Sequence, residues 1–457
     1  NLGALLMSRG LAYDSDEGRN FAAALTAAGL LLAGCANPST GSADDDPTKP
    51  VTLKFWHGWS APGEVKAINA SIERFEKLHR NIDVKAIGNV TDETINQALR
   101  AGGGEAPDVV SSFTTNNVGQ YCDSGMWVNL DPFMKKTGLD KKKTFPKTLL
   151  DYTSYEGNQC ALPFLADAFG MYYNKDAFKE AGIAQPPRTM SEFKEAAAKL
   201  TVRSGKDSYK RVGFMPNFRL YQNAPDRLFA QWGPKYFDAD GKSNLADEPK
   251  TYDYFKTTNE LIKAQGGYAD LEKFRATFGE EMSSQNAFLT GKLAMHLDGE
   301  WRGLMLDEKK AKFDWGVAPL PVPDDQADSY GRGFITGTVL GIAHSSKKQN
   351  AAWELVRFLT ADTDQVVNLA NDIHNVPSTF AALKSPRLDA DKRFRTFFKI
   401  LENEHSTALP QSTNGGSYIV SLADVAYSIE AGGKKNLREA LKKLDEQIDA
   451  DNLQAEN

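Results

Sequence analysis

The sequence predicts an α/β protein, because strand-like and helix-like segments alternate along it. Val51, Leu53 and Phe55 alternate as in a strand, and apolar residues then recur at helical spacing as far as Leu78. A second strand at residues 82–86 completes a β-α-β unit, which indicates a parallel sheet. The 457 residues exceed the roughly 250 to 300 that one hydrophobic core supports, so we expect two domains or lobes.

The segments that follow continue this alternation. Thr91 is placed to cap a helix that the glycines at residues 102–104 end, and Asp108 begins a third strand. Helical patterns predominate from about residue 163 to residue 330, and "FITGTVLGIAHSS" at residues 334–346 is typical of a buried strand. The last helix carries its apolar residues on one side, and these are Leu437, Leu441, Leu444 and Ile448.

The N-terminal region has the pattern of an export signal. Residues 21–34 are uncharged and too few to span a bilayer, which takes about 20 residues, but they fit the apolar part of a signal peptide. They end in "LAGC", which resembles the lipobox of bacterial lipoproteins, where the cysteine carries lipid. We therefore expect residues 1–34 to be a lipoprotein signal peptide, Cys35 to be lipidated, and residues 35–50 to be a flexible tether. The alternative is an ordinary signal peptide in which Cys35 has no role.

The other two cysteines are Cys122 and Cys160, and neither lies in a C-x-x-C pair. In an exported protein with Cys35 lipidated they remain as an even pair, so we expect a disulfide between them. The alternative is two buried thiols. The predicted location is the extracellular face of the cell membrane, reached through the lipid anchor only.

Composition and motifs exclude several classes of function. The net charge is −6 and no basic face or tail is visible, which argues against nucleic acid as a partner. The sequence lacks the phosphate-loop, zinc-protease, serine-hydrolase and EF-hand motifs. Its six histidines are scattered, so we expect no metal site, and we expect no cofactor. The pair Asp324-Asp325 is interpreted as solvated charge in a turn.

Aromatic and hydrogen-bonding residues follow two predicted strands, at the edge where open α/β sheets bind ligands. Rings that stack on sugar faces, beside amides and hydroxyls that bind sugar hydroxyls, are typical of carbohydrate recognition. The alternatives are core packing for the tryptophans and helix capping for the polar residues. The residues concerned are Trp56, His57, Trp59, Phe113, Thr114 and Asn116.

Several stretches, taken in order, resemble a known family. They are "VTLKFWHG", "APDVVSSF", "ALPFLADAFGMYYNKDAFKEAGI", "FLTGKLAMHLDGEW", "FDWGVAPLPVP" and "QNAAWELVRFLT". They are similar to the extracellular solute-binding proteins of family 1, the sugar-binding lipoproteins and maltose-binding-protein-like subunits of bacterial ABC importers. The resemblance covers about residues 51–445. It implies a periplasmic-binding-protein-like fold of two α/β lobes, joined by three hinge crossings, with a ligand cleft between them.

The resemblance also implies where the lobes divide. We place the crossings near residues 162–163, 332–336 and 373–377. The predicted N-lobe is then residues 51–162 plus 337–374, and the predicted C-lobe is residues 163–336 plus 375–457.

Site residues follow from the same resemblance. Asp167, four residues past the hinge proline, matches an acidic residue that accepts hydrogen bonds from sugar hydroxyls, and Trp301 matches a stacking platform. The loop residues after the first and third strands match as well. Arg332 lies in "GRGF", where members of the family more commonly have paired glycines. It is therefore either a ligand contact or only a hinge residue, and its charge keeps an anionic ligand as an alternative. Further residues that face the cleft in such proteins are Trp232, Arg332, Phe334, Ser417 and Tyr418.

The function implied is that of a monomeric, lipid-anchored protein that captures a mono- or oligosaccharide and delivers it to the permease subunits of an ABC importer, without bond chemistry. One alternative is a protein that binds a sugar phosphate such as glycerol phosphate, which would need a cluster of Arg and Lys in the cleft. Another is a secreted glycoside hydrolase, in which Asp167 would have to face Asp298 or Glu300 across the scissile bond.

Overall fold

The computed structural model describes Asp46, residues 48–433 and residues 436–456. The predicted signal peptide, Cys35 and most of the predicted tether lie outside the described residues.

Strands and helices alternate over the first part of the described chain, as the sequence predicts. The strands are β1 (Val51–Trp56), β2 (Ile82–Ile87), β3 (Val109–Ser112), β4 (Ser154–Tyr155), β5 (Asn158–Gln159), β6 (Leu162–Asn174), β7 (Val202–Gly205), β8 (Ser208–Arg211), β9 (Met295–Gly299), β10 (Trp315–Ala318), β11 (Ile335–Ile342) and β12 (Val376–Pro377). The helices are α1 (Pro62–Leu78), α2 (Asp92–Ala101), α3 (Asn117–Asp123), α4 (Asp131–Thr137), α5 (Lys141–Thr144), α6 (Lys147–Tyr152), α7 (Lys175–Glu180), α8 (Met190–Leu200), α9 (Pro225–Phe229), α10 (Pro249–Ala264), α11 (Tyr268–Arg275), α12 (Arg302–Glu308), α13 (Gln349–Ala361), α14 (Thr363–Ile373), α15 (Phe380–Leu383), α16 (Phe394–Glu402), α17 (Ser417–Glu430) and α18 (Leu437–Glu456). Two 3-10 turns occupy Ala230–Trp232 and Asp324–Ser329.

Local sequence signals explain the first elements. α1 begins with Pro62 in its first turn, where the missing N–H costs nothing, and buries Ile68, Ile72 and Phe75 on one face. The Thr91 side chain accepts from the backbone N–H of Thr94 at 3.2 Å, so it caps α2 as predicted.

The main sheet is mixed, with the order β10-β6-β11-β3-β1-β2, and β9 and β12 also pair with β6. β1 is parallel to β2 and to β3, as the predicted β-α-β unit requires. β11 is antiparallel to both of its neighbours, β3 and β6. The α/β class is therefore confirmed, with antiparallel pairing added by strands that arrive from distant parts of the chain.

β6 is the longest strand and changes partners along its length. Residues 162–168 pair with β11, whereas residues 169–173 pair with β9. β12 pairs with β6 at Ala166, which is also the partner of Gly337 in β11. β6, β11 and β12, which each contain residues of one predicted crossing, thus lie side by side at Ala166, and the lobe boundaries drawn through the crossings stay a prediction.

The core follows from this arrangement, because β6 contributes buried residues to three apolar clusters. Leu162 and Phe164 pack with α1 and α13, Tyr172 packs with α16, and Phe169 and Met171 pack with α8 and α10. Beside the sheet, the sulfur atoms of Cys122 and Cys160 are joined, with their Cα atoms 5.6 Å apart.

Among the residues described, none of the helices combines the length and the apolar character that crossing a membrane would need.

Candidate functional site

A cavity of about 790 Å³ opens where the three neighbouring segments of the sheet meet loops from both sides. β6 supplies Asp167 and Phe169, the segment before β12 supplies Asn375, and the residue before α12 is Trp301. Of the predicted site residues, the cavity brings together Trp59, Phe113, Thr114, Asn116, Asp167, Trp301 and Phe334.

Aromatic rings form two walls of this cavity. Trp301 meets Phe169 edge to face with ring centroids 5.6 Å apart, and Phe334 meets Phe169 at 5.3 Å. On the other side Trp59 meets Phe113 at 5.0 Å, and Phe113 is 47% exposed. Such rings offer apolar faces on which the C–H face of a sugar ring stacks.

The polar centre of the cavity is Asp167. The side-chain amide of Asn375 donates to its Oδ1 at 3.0 Å. The same amide donates to Oε1 of Glu300, and the backbone N–H of Ala168 donates to the other oxygen of Glu300 at 3.1 Å. Burial raises the pKa of Asp167 to about 6. Burial, together with the neighbouring charge of Asp167, raises the pKa of Glu300 well above its usual range.

Two arginines line the cavity, and each lies against aromatic rings. The guanidinium of Arg227 lies 5.2 Å from the ring centre of Phe169 and 3.8 Å from a carboxylate oxygen of Asp226. That of Arg219 lies 4.2 Å from the ring centre of Tyr427. The acidic residues of the lining outnumber them, and these are Glu64, Asp167, Asp226 and Asp424. No lysine is found in the described lining.

Arg219 is presented by a strained turn. Asn217, Phe218 and Arg219 have φ angles of 49°, 52° and 53°, a left-handed conformation that non-glycine residues rarely adopt. Glu430 holds the turn by accepting from the backbone N–H of Phe218 at 3.1 Å, and Tyr254 donates to Asn217 at 3.0 Å. Strain of this kind persists where the surroundings over-determine it, and here it sets the position of a cavity residue.

The remaining predicted site residues lie outside the cavity lining. His57 is 1% exposed between the rings of Phe55 and Trp59, and burial lowers its pKa to about 4. Trp56 points to the opposite face of β1, because side chains alternate along a strand, and packs against the core. Trp232 is buried against Tyr254.

Three further predicted residues serve the local structure. Arg332 is buried and donates to the backbone oxygen of Gln231 and to the side chain of Gln326, so it connects the predicted crossing at residues 332–336 to a turn. Tyr418 is buried and donates to the backbone oxygen of Pro410 at 2.8 Å. Ser417 is the first residue of α17 and is absent from the lining.

The structure also adds cavity residues that the sequence analysis missed. Asn375 stands inside the predicted crossing at residues 373–377, so its place in the chain was a usable signal. Phe169 follows Asp167 by two residues and therefore shares its face of β6, which period-two alternation could have indicated. Arg219 and Arg227 come from a stretch with little periodic pattern, and no sequence signal points to them.

An ion-pair network lies behind Trp301. Asp298 and Glu281 each accept from the guanidinium of Arg302 at 2.5 Å, and His296 lies 3.2 Å from Asp298. Three of these side chains, Glu281, His296 and Asp298, could offer ligand atoms to a metal. Since both carboxylates are already paired with the Arg302 guanidinium, we interpret the group as an ion-pair network that fixes the start of α12.

A second cavity, of about 680 Å³, shares Asp226, Phe334 and Leu409 with the first. Its lining includes the exposed ion pair of Lys147 and Asp151.

Comparison with known proteins identifies relatives that match most of this chain in sequence or in fold. The family model described as bacterial extracellular solute-binding protein matches residues 60–366. A maltotriose-binding protein of Pyrococcus abyssi is 23% identical over 365 residues, 79% of this chain and 74% of its own. The sn-glycerol-3-phosphate-binding periplasmic protein of Escherichia coli is 26% identical over 345 residues, 72% of either chain. The sugar-binding protein MalE of Xanthomonas citri has a similar fold, with a TM-score of 0.74 at 20% identity, over 88% of this chain and 98% of its own.

Proposed function

The chain belongs to the bacterial extracellular solute-binding protein family, and from that premise we propose that it captures a neutral mono- or oligosaccharide for an ABC importer. Members of this family are transport binding proteins. Delivery of the ligand to permease subunits is the step that such a protein performs.

One observation carries the choice of ligand. Trp301 and Phe169 stand beside Asp167 and Asn375 in one cavity, so an apolar platform adjoins a hydrogen-bond acceptor and an amide. A sugar ring presents the complementary pair of features, a C–H face and a rim of hydroxyls. The maltotriose-binding relative supports the same ligand class.

A sugar phosphate is the second candidate, and specific residues favour it. Arg219 and Arg227 line the cavity, and the glycerol-phosphate-binding relative supports this ligand class. Against it, Arg227 already lies 3.8 Å from Asp226, and four carboxyl groups share the lining with the two guanidinium groups. An anion entering this cavity would meet more negative than positive groups, so the neutral ligand is preferred.

The geometry disfavours the hydrolase alternative for the two carboxylate pairs considered. Asp167 and Glu300 both accept from the one amide of Asn375, which occupies the space between them, whereas hydrolases keep their two carboxyl groups about 5 to 9.5 Å apart around the scissile bond. Asp298 is fully buried and ion-paired with Arg302. We therefore propose binding without catalysis.

Anchoring and assembly complete the proposal. Lipidation of Cys35 would attach the protein to the outer face of the cell membrane, and residues 35–50 would let it reach the permease. We propose that it acts as a monomer, since a single cavity in one chain holds all the proposed ligand-binding groups.

A thermal-shift panel tests this function. Purified protein is heated with glucose, maltose, maltotriose and mannobiose, and in parallel with glycerol 3-phosphate. A ligand at about 100 times its Kd stabilises the folded state by about 2.7 kcal/mol, so the melting temperature should rise for at least one neutral saccharide. A rise with glycerol 3-phosphate and with none of the saccharides would overturn the proposal in favour of the second candidate.

A further inference from the structure

Glu300 lies directly behind the cavity, and its hydrogen-bond partners among the described residues are neutral. It is 1% exposed, and its carboxyl group lies beside that of Asp167, because both accept from the one side-chain amide of Asn375. Its second partner is the backbone N–H of Ala168. In the described part of the chain, no lysine, arginine or histidine forms an ion pair with Glu300.

Two buried carboxyl groups that lie side by side repel each other when both are charged, and a proton on one of them removes this repulsion and lets the two form a hydrogen bond. Asn375 and Ala168 only donate to Glu300, so Asp167 is the acceptor available for such a proton. Asp167 keeps contact with the cavity, where Arg227 favours its charged form, whereas Glu300 is sealed from solvent. The charged form is therefore easier to keep on Asp167, and the proton belongs on Glu300.

We propose that Glu300 is a positioning residue for ligand binding: as a neutral acid it donates its hydrogen bond to Asp167, and thereby holds that carboxylate as an acceptor facing the ligand. The part of this inference that concerns the ligand rests on the proposed function. The part that concerns the shared proton does not.

The charged and titratable groups around the pair come from several elements. Arg227 of α9 faces Asp167, and Tyr152 of α6 and Tyr172 of β6 lie close to the pair. On the far side Glu300 shares a small cavity with titratable residues, and these are His374, Asp307, Asp391 and Arg393. Asp391 and Asp307 are both paired with Arg393, and Asp298, two residues before Glu300 in the chain, is paired with Arg302. Asp167 is the charged group that raises the pKa of Glu300.

The proposal predicts how pH acts. Burial and the charge of Asp167 hold the pKa of Glu300 above its usual range, so the folded protein keeps this proton more tightly than the unfolded chain does. The stabilisation is complete below the unfolded pKa and is lost as pH rises through the folded pKa. Ionised Glu300 would also repel Asp167 and withdraw the hydrogen bond that holds it, so ligand affinity should fall as pH rises through the folded pKa of Glu300.

An experiment without ligand tests whether Glu300 carries the proton. Glu430 is a second buried acid, with its pKa raised to about 8 by burial, so it must be removed from the comparison. Unfolding free energy is measured by urea titration between pH 6 and pH 10 for Glu430→Gln and for the Glu430→Gln, Glu300→Gln double variant. In the single variant the free energy of unfolding should fall with rising pH at a slope that corresponds to one proton, and the double variant should lose this fall. Equal pH profiles for the two variants would overturn the proposal.

The carboxyl carbons provide a readout that does not depend on the double variant folding. With ¹³C-labelled glutamate, the Glu430→Gln protein should retain one glutamate that titrates well above the usual range, and the wild type should show two. If no such glutamate remains in Glu430→Gln, the proton is not on Glu300 and the proposal fails.

A binding experiment, with maltotriose as the probe, tests the positioning role. Glu300→Gln keeps a donor toward Asp167, so it should retain wild-type affinity at neutral pH. Its affinity should no longer fall as pH rises. Glu300→Leu lacks the donor and should bind about tenfold more weakly or worse. Equal affinities for the Leu and Gln variants would contradict the role of Glu300 as donor. Absence of maltotriose binding in every protein would instead count against the proposed ligand and leave the urea and NMR results to decide on the proton.

Discussion

The side-chain amide of Asn375 lies 3.0 Å from Oδ1 of Asp167 and donates a hydrogen bond to it. Asn375 belongs to the segment that enters β12, and Asp167 belongs to β6, to which β12 pairs. One amide therefore connects the segment that we predicted as a hinge crossing to the acceptor in the ligand cavity. The same amide also donates to Glu300.

Removing this amide should weaken ligand binding. Asn375→Ala removes the amide donor that Asp167 and Glu300 share. A lost hydrogen bond to a charged group costs about 1.5 to 3 kcal/mol, which corresponds to a loss of tenfold or more in affinity. Calorimetric titration with the saccharide that responds best in the thermal-shift panel measures this. Asn371→Ala is a matched control, because its amide donates to the backbone oxygen of Arg387 and Asn371 is absent from the cavity lining. Equal losses in the two variants would contradict a role for Asn375 in the site.

Trp301 should act as a stacking platform. Trp301→Ala is expected to cost on the order of 1 to 3 kcal/mol of binding, by analogy with aromatic platforms under nucleic-acid bases. Unchanged affinity would mean that this ring serves only the core.

A glycine behind the ring offers an independent test of the same platform. A Cβ atom at Gly299 would lie 2.2 Å from the Trp301 ring, so Gly299→Ala must displace it, whereas one at Gly303 would come no closer than 3.4 Å to Trp315 and 3.8 Å to Tyr172. We expect Gly299→Ala to reduce affinity and Gly303→Ala to leave it unchanged. Comparable affinities for the two alanine variants would show that the position of Trp301 does not matter.

Acidification should weaken binding through Asp167. Burial raises its pKa to about 6, so the carboxylate gains a proton as pH falls from 7 to 5 and loses its capacity to accept from ligand hydroxyls. The affinity of the wild type should decrease over this range. Asp167→Asn should bind weakly at both pH values and show no such decrease. A wild-type affinity independent of pH between 5 and 7 would argue against Asp167 as the acceptor.

Glu430 should stabilise the turn that presents Arg219. Glu430→Ala leaves the buried N–H of Phe218 without its acceptor and frees three left-handed residues, so it should lower the free energy of unfolding by about 1 to 3 kcal/mol. Urea unfolding at neutral pH measures the change. The control is Glu439→Ala, which removes an exposed carboxylate from an ion pair with Lys443 and should change stability by less than about 0.5 kcal/mol.

The parts of the fold that local patterns determine were predictable from the sequence. The β1-α1-β2 unit follows from period-two and helical spacing between Val51 and Ile87, and Thr91 caps α2 as expected. The antiparallel placement of β11 between β3 and β6 was not predictable. It is set by contacts between segments more than 150 residues apart, which no local periodicity records.

The site was predictable only in part, for the same reason. Asp167 and Trp301 came from a family resemblance, and both line the cavity. The stretch from Phe55 to Trp59 shows where prediction from the local sequence pattern was incomplete. His57 shares a face with Phe55, so alternation places it in the core, whereas Trp59 lies far enough past the strand end to reach the cavity.

The central claim is that the cavity around Asp167 and Trp301 binds a neutral saccharide. The measurement that tests it most directly is calorimetric titration of the wild type, Asp167→Asn and Arg219→Ala with maltotriose, mannobiose and glycerol 3-phosphate. The account predicts one-to-one binding of a neutral saccharide that Asp167→Asn weakens strongly and Arg219→Ala weakens less. Binding of glycerol 3-phosphate alone, lost in Arg219→Ala and retained in Asp167→Asn, would contradict it.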